Sequence, residues 1–427
     1  MKKLVVLVLC LSLCASLSLM AGGQGETKEE GPITLTVWGW DQHATESVVT
    51  QVEKFKSENP NVDFELLDMG PQDVRQKLSI ALTSGTGAPD VCFNSCENVF
   101  NFYKVEGLLL PLSDYIPNWQ KDLSPALSSR WTYNGELMGA PFSISPFVIF
   151  YRKDVMDEVG VDFENELRTM KDDYVTIGKK VTIPNERYMA PWRSAWNWTC
   201  FAWGMDAQIT NQDDDLLFEK DPRSIEVFQW TYDNLYKHKI NEYGSPEDVE
   251  NYVKYKEGRY TCMTYYWFYI WKGLKDLGYS PDQEGKWRVA QMRSWDEPGK
   301  MTGSDFIYHG IWLVPGQTKY PDAARRFAAS ICNQENQVEI ANRRTIFPAN
   351  VKAQAELAEV EDPFFGGQKI NKIGMDTIRD MPEYTVGENL MVIVSALVGA
   401  ADKVYLNHMP VEQAFKEAAQ QARKEME

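Results

Sequence analysis

The chain has 427 residues, 44% hydrophobic and 25% charged, with 61 acidic against 44 basic side chains and a formal net charge of −17. That length favours two hydrophobic cores over one, and the composition is that of a globular chain, not a disordered one. The acidity, with no long basic cluster to offset it, argues against a nucleic-acid or anionic-lipid binder.

Lys2 and Lys3 precede an apolar run from Leu4 to Leu13, and Ala21, Gly22 and Gly23 follow, so residues 1–21 read as an export signal. Removing the two lysines with the signal moves the charge from −17 to −19. Lipid attachment at Cys14 is the weaker alternative, because the bulky Leu13 stands where a small residue is wanted. Residues 22–32 are polar and lack an apolar anchor, as a loose mature N-terminus would. No later stretch reads as a membrane span of about 20 apolar residues. Five cysteines remain, Cys92, Cys96, Cys200, Cys262 and Cys332. An odd, sparse set is no disulfide scaffold; Cys92 and Cys96 read as small buried hydrophobes or as one local disulfide.

The pattern then alternates. Residues 33–38 read as a strand, 46–58 as an amphipathic helix stopped by Asn59-Pro60, and 62–67 as a second strand. A helix over 73–84, a Gly/Pro break at 85–89 and a strand over 90–93 continue an α/β sheet. Ligands in such sheets sit beyond the carboxyl ends of the strands, which brings Trp40, Asp41, Asn94 and Ser95 to one rim. Asn134-Gly135 marks a hairpin turn. Residues 140–154 approach a strand broken by two prolines and two serines, Ser143 and Ser145. Helices are expected over 224–238, 321–333, 334–342 and 410–427.

From Tyr188 to Trp203 the chain places four tryptophans, a tyrosine and an arginine in sixteen residues. Indole faces cover the C–H side of a sugar ring, while neighbouring polar groups bond its hydroxyls. The competing reading is core packing. The interruption by Arg193, Ser194 and Asn197 leaves no single helical stripe, so Trp192, Trp196 and Trp198 are carried as ligand candidates. Tyr266 and Trp267, just past a predicted strand end, are carried as stacking candidates too.

Several segments together carry a resemblance. Thr34-Leu-Thr-Val-Trp-Gly-Trp40, Phe55-Lys-Ser-Glu-Asn-Pro-Asn-Val62, Ser84-Gly-Thr-Gly-Ala-Pro-Asp-Val91 and, most specifically, Tyr133-Asn-Gly-Glu-Leu-Met-Gly-Ala-Pro141 followed by Phe150-Tyr-Arg-Lys-Asp154 resemble family 1 extracellular solute-binding proteins of ABC transporters, the maltose/oligosaccharide-binding class. The resemblance runs from about residue 33 to the C-terminus, although 164–175 does not follow the family pattern. It implies an α/β, two-lobed periplasmic-binding-protein type II fold with a hinged cleft and interleaved chain crossings. One lobe would hold 33–143 and 306–345, the other 147–303 and 350–427. It further implies a monomeric receptor that delivers a carbohydrate to the transmembrane subunits of an ABC permease, with no cofactor.

The ligand-binding set expected from residues and resemblance together is Trp40, Asp41, Asn94, Ser143, Trp192, Trp196, Tyr266, Trp267, Asp305 and Arg344. Asp305 would bond a hydroxyl or act in a hinge pair with an Arg or Lys; Arg344 would meet an acidic ligand or join the lobes. No metal site is expected: Asn211-Gln-Asp-Asp-Asp215 has Leu216 where a calcium loop needs Gly and Pro222 where it needs Glu. His43, His238, His309 and His408 are scattered, and no phosphate loop or nucleophile elbow is present. The alternatives are a receptor for a polyol or glycerol phosphate ester and, more remotely, a secreted glycan-acting enzyme.

Overall fold

The computed structural model describes residues 31–40, 46–192, 195–245, 249–266, 281–305, 309–344 and 346–427. In chain order, β1 (Ile33–Trp40), α1 (Val49–Glu58), β2 (Val62–Met69), α2 (Pro71–Ser84) and β3 (Val91–Ser95) form the alternating start. A short hairpin follows, β4 (Thr132–Tyr133) and β5 (Glu136–Leu137), turning through Asn134 and Gly135 at φ 49° and 81°. Two positive φ values at the centre of a two-residue turn suit Asn-Gly. Next come β6 (Ala140–Ile144), β7 (Phe147–Arg152), β8 (Ala190–Trp192), α3 (Ala195–Gly204), α4 (Pro222–Tyr236), β9 (Asn241–Tyr243), β10 (Cys262–Tyr266) and β11 (Trp287–Ala290). The chain finishes with β12 (Gly310–Leu313), α5 (Pro321–Ile331), α6 (Gln334–Arg344), β13 (Phe347–Pro348), α7 (Ile370–Arg379), α8 (Leu390–Asn407) and α9 (Val411–Met426).

Two sheets organise these elements. The larger has the order β13-β6-β12-β3-β1-β2, and the smaller the order β10-β7-β11. β1 lies parallel to β2, from Ile33 opposite Val62 to Trp40 opposite Met69, and parallel to β3. Ile33, Leu35 and Val37 alternate inward along β1, as period-2 spacing dictates. β7, central in the second sheet and buried along its whole length, reads as an unbroken apolar run for that reason.

The chain leaves the first sheet after Ile144 and enters the second at Phe147. It returns beside itself: Pro146 pairs antiparallel with Asp305, and the Phe147 N–H donates to the Ser304 carbonyl at 2.8 Å. At this return Gly303 lies so close to α7 that a Cβ would stand 1.7 Å from the Thr377 carbonyl oxygen.

Two parts of the sequence reading change here. Three of the four tryptophans of the run, Trp192, Trp198 and Trp203, are core residues. From Ala195 the run forms α3, in which Trp198, Cys200, Phe201, Ala202 and Trp203 are all buried. A helix buried on several sides shows no polar face, so no amphipathic stripe was there to find. The other change is α8, absent from the expected helices. It is long and apolar enough to cross a membrane by length and composition, yet Leu390, Ile393, Val394, Leu397 and Val404 pack in the core. Cys92 and Cys96 are buried free thiols, not a disulfide.

Candidate functional site

β1 ends on Trp40, which is half-buried and meets Phe93 of β3 edge-on, with ring centroids 4.8 Å apart. The Arg75 guanidinium lies 5.2 Å from the indole centroid. Gly310, opening β12, pairs with Ser95 on one side and Ser143 on the other. A Cβ at Gly310 would come within 2.8 Å of the Phe93 ring and 2.9 Å of the Ser143 Oγ. Trp40, Phe93, Gly310 and Ser143 are therefore continuous along one end of the larger sheet. From Ser143 the chain crosses to Phe147, whose strand partner in the second sheet is Tyr266. The backbone thus brings Tyr266 to the same crossing.

The predicted residues divide accordingly. Trp40 and half-buried Ser143 stand on this rim. Asn94 is close by but only 2% exposed, its Oδ1 accepting from the Ser95 N–H at 2.8 Å. Asp41 and Trp267 lie outside the described residues, as do the side chains of Trp196, Tyr266 and Arg344. Trp192 sits in the core instead: it is 4% exposed, meets Phe201 edge-on, and its Nε1–H donates to the Tyr405 hydroxyl at 3.3 Å. An indole whose one donor is satisfied inside the protein is built for packing. Asp305 is wholly buried with both carboxylate oxygens taken, so it offers no oxygen to a ligand.

Asp305 belongs to a cluster that sequence reasoning saw in part. Its Oδ2 accepts from His309 Nε2, and its Oδ1 accepts from the Tyr384 hydroxyl. His309 Nδ1 lies 2.7 Å from Glu97 Oε1, and the His309 backbone N–H donates to Glu97 Oε2 at 3.3 Å. The Arg130 guanidinium lies 5.1 Å from the Tyr384 ring centroid, and Trp203 stacks on that ring at 4.4 Å and 9°. A hinge pair was anticipated at Asp305, but its partner is His309 and not an Arg or Lys. Glu97, Arg130 and Tyr384 were missed. The available signal was the i,i+4 spacing of Asp305 and His309 at a chain crossing, which names no distant partner.

Burial alone would push the His309 imidazole down, but Asp305 and Glu97 outweigh it and hold it at about 9. Burial likewise pushes the Asp305 carboxyl up, while the charge of His309, its hydrogen bond and Arg130 bring it below its ordinary value. At neutral pH the cluster therefore sets the Asp305 carboxylate against the His309 imidazolium, with the Arg130 guanidinium beside them. The folded value for His309 exceeds the ordinary imidazole value of about 6.5. Its stabilisation is therefore complete below roughly pH 6.5 and fades as the pH climbs through about 9. Melting temperature is expected to fall across that interval, and His309→Gln to flatten the slope; an equal slope in the variant refutes the assignment.

Residues 50–364 match the family described as bacterial extracellular solute-binding protein. The chain belongs to this family. Among curated relatives it is 27% identical over 318 residues to the arabinooligosaccharide-binding protein of Halalkalibacterium halodurans, spanning 70% of this chain and 67% of that one. It is 25% identical over 345 residues to the arabinooligosaccharide-binding protein of Bacillus subtilis, spanning 77% and 76%. Among solved structures, the sugar-binding protein MalE from Xanthomonas citri superimposes with a TM-score of 0.76 at 17% identity, over 92% of this chain and 96% of that one. The fold of this solute-binding protein is thus the two-lobed, α/β arrangement of periplasmic binding proteins, its larger sheet carrying the Trp40 rim and its smaller one carrying Tyr266.

Proposed function

We propose that this solute-binding protein is the substrate-binding component of an ABC importer for a neutral oligosaccharide, with arabino-oligosaccharides the first class to test. The observation that carries this reading is the make-up of the rim. Both oxygens of the buried Asp305 are taken by His309 and Tyr384, so the described rim offers an indole face with the single guanidinium of Arg75 against it, a serine hydroxyl and backbone groups, and no cluster of charge. Such a surface suits a sugar better than a phosphate ester, which wants clustered cationic or helix-terminal donors. The names of the two curated relatives support the sugar class. We take the lobes as 33–143 with 306–345 and 147–303 with 350–427. Closure then brings Trp40, Asp41 and Ser143 against Trp196, Tyr266 and Trp267, and the closed form alone touches both faces of the ligand. Capture in the periplasm, with residues 1–21 as the export signal, and delivery to a permease follow from this role, without catalysis.

The test is a thermal-shift and calorimetry panel on residues 22–427, using arabino-, galacto-, malto- and chito-oligosaccharides and glycerol phosphodiesters. A ligand at 100 times its Kd adds about 2.7 kcal/mol of stability, a readily measured rise in Tm. Trp40→Ala is expected to weaken the binding of that ligand about tenfold or more, the loss typical of an anchoring aromatic. Stabilisation by a phosphodiester alone overturns the neutral-sugar reading, and glycan turnover overturns the receptor reading.

A further inference from the structure

The cluster around Asp305 spans the two halves of the molecule. Glu97 directly follows β3 of the larger sheet, and His309 directly precedes β12, which pairs with β3. The His309 carbonyl accepts from the Cys96 N–H at 3.0 Å, fixing the two segments together. Tyr384 comes from the segment between α7 and α8, and its ring stacks on Trp203 of α3, in the half that contains the smaller sheet. Asp305 sits between them on the crossing itself, paired with Pro146 of the other crossing strand. Its two oxygens therefore divide between the halves, one to His309 and one to Tyr384. Beside the cluster lies a cavity of about 750 Å³, walled by 124–130 on one side and 375–385 on the other. Arg130 and Tyr384 both line it. Across this gap the Arg130 guanidinium meets the Tyr384 ring.

We propose that the chain Glu97–His309–Asp305–Tyr384, with Arg130 against it, is the pivot that sets the angle between the lobes, and that these are positioning residues which tune ligand affinity without touching the ligand. Hydrogen bonds to a fully buried carboxylate are directional, so each lobe is held at a defined orientation to the crossing strand. Loss of the Tyr384 hydroxyl removes the bond to Asp305 from one side while leaving that from His309 on the other. The equilibrium between open and closed forms then shifts, and apparent affinity shifts with it by linkage, since the ligand binds the closed form. The inference rests on the two-lobed fold and is independent of which sugar is bound.

The experiment places spin labels at Ile80→Cys on α2 and at Val253→Cys on the helix Val249–Lys256, both exposed positions on opposite halves. Inter-label distances are measured in the ligand-free protein by pulsed electron resonance. Tyr384→Phe keeps the ring and its stack on Trp203 and removes the hydroxyl, which donates to Asp305 and faces Arg130. His309→Gln is the second variant. A displaced or broadened distance distribution in Tyr384→Phe, at unchanged far-ultraviolet circular dichroism, supports the pivot. The parent distribution retained in both variants overturns it, whatever the change in melting temperature. In a second readout, the Kd for arabino-oligosaccharides is expected to change by about fivefold or more, the usual size of coupling through a conformational equilibrium. If the parent binds no arabino-oligosaccharide, the sugar assignment falls while the distance measurement still decides the pivot.

Discussion

Asp305→Ala is expected to destabilise the protein by about 3–5 kcal/mol, the range for removing one partner from a buried ion pair. The cost arises less from the lost attraction than from what stays behind. The positive charge of His309 is left without the carboxylate that faced its Nε2, in a place closed to solvent, and the Tyr384 hydroxyl loses its acceptor. Urea unfolding at pH 6, where His309 is fully protonated in the parent, measures the loss directly. A double-mutant cycle of Asp305→Asn with His309→Gln is expected to show strong coupling, since the second change removes the charge stranded by the first. A loss under about 1 kcal/mol, the size of an exposed pair, would sink the description of Asp305 and His309 as a buried ion pair.

The other large effect is expected at Gly303. A Cβ there would lie 1.7 Å from the Thr377 oxygen and 2.7 Å from its carbonyl carbon. Both are backbone atoms of α7, so no rotamer change relieves the clash. Gly303→Ala is expected to destabilise by at least the roughly 1–3 kcal/mol of ordinary overpacking, with lower soluble yield and a lower denaturation midpoint. Gly399, inside α8, is the matched control, because a Cβ there meets nothing within 4 Å. Gly399→Ala is expected to be neutral or to stabilise by about 0.5–1 kcal/mol through helix propensity. Equal behaviour of the two alanines would refute the close approach of α7 to the crossing.

How much of this was legible in the sequence depended on whether the signal was local. β1, α1, β2 and α2 were readable because each buries one face and so repeats at period 2 or 3.6, and β3, buried throughout, because a Gly/Pro break sets it off. The Asn134-Gly135 turn was readable because two residues carry its whole conformation. α3 and α8 were not, since helices buried on several sides lose the polar face that marks the period. The same divide runs through the site. Trp40 and Ser143 follow from their position after or within a strand at the rim, whereas Trp192 and Trp198 look like a sugar platform in composition and turn out to pack against Phe201 and Phe228. Asp305 and His309 were noticed as crossing residues, but their partners Glu97, Arg130 and Tyr384 lie 212, 175 and 79 positions from the group each acts on, separations that no periodicity records.

The five buried cysteines among the described residues make the protein its own unfolding clock. Burial pushes the thiols of Cys92, Cys96, Cys262 and Cys332 up, which keeps them from the thiolate form a disulfide reagent needs. Cys92, Cys96 and Cys332 pack with the larger sheet, the last donating to the Pro141 carbonyl, while Cys262 belongs to the smaller sheet and Cys200 to α3. A chromogenic disulfide added to the native protein should therefore stay colourless until a half opens. Three equivalents would then report one half and two the other, so that peptide mapping of the tagged residues times the two openings separately without any engineered probe.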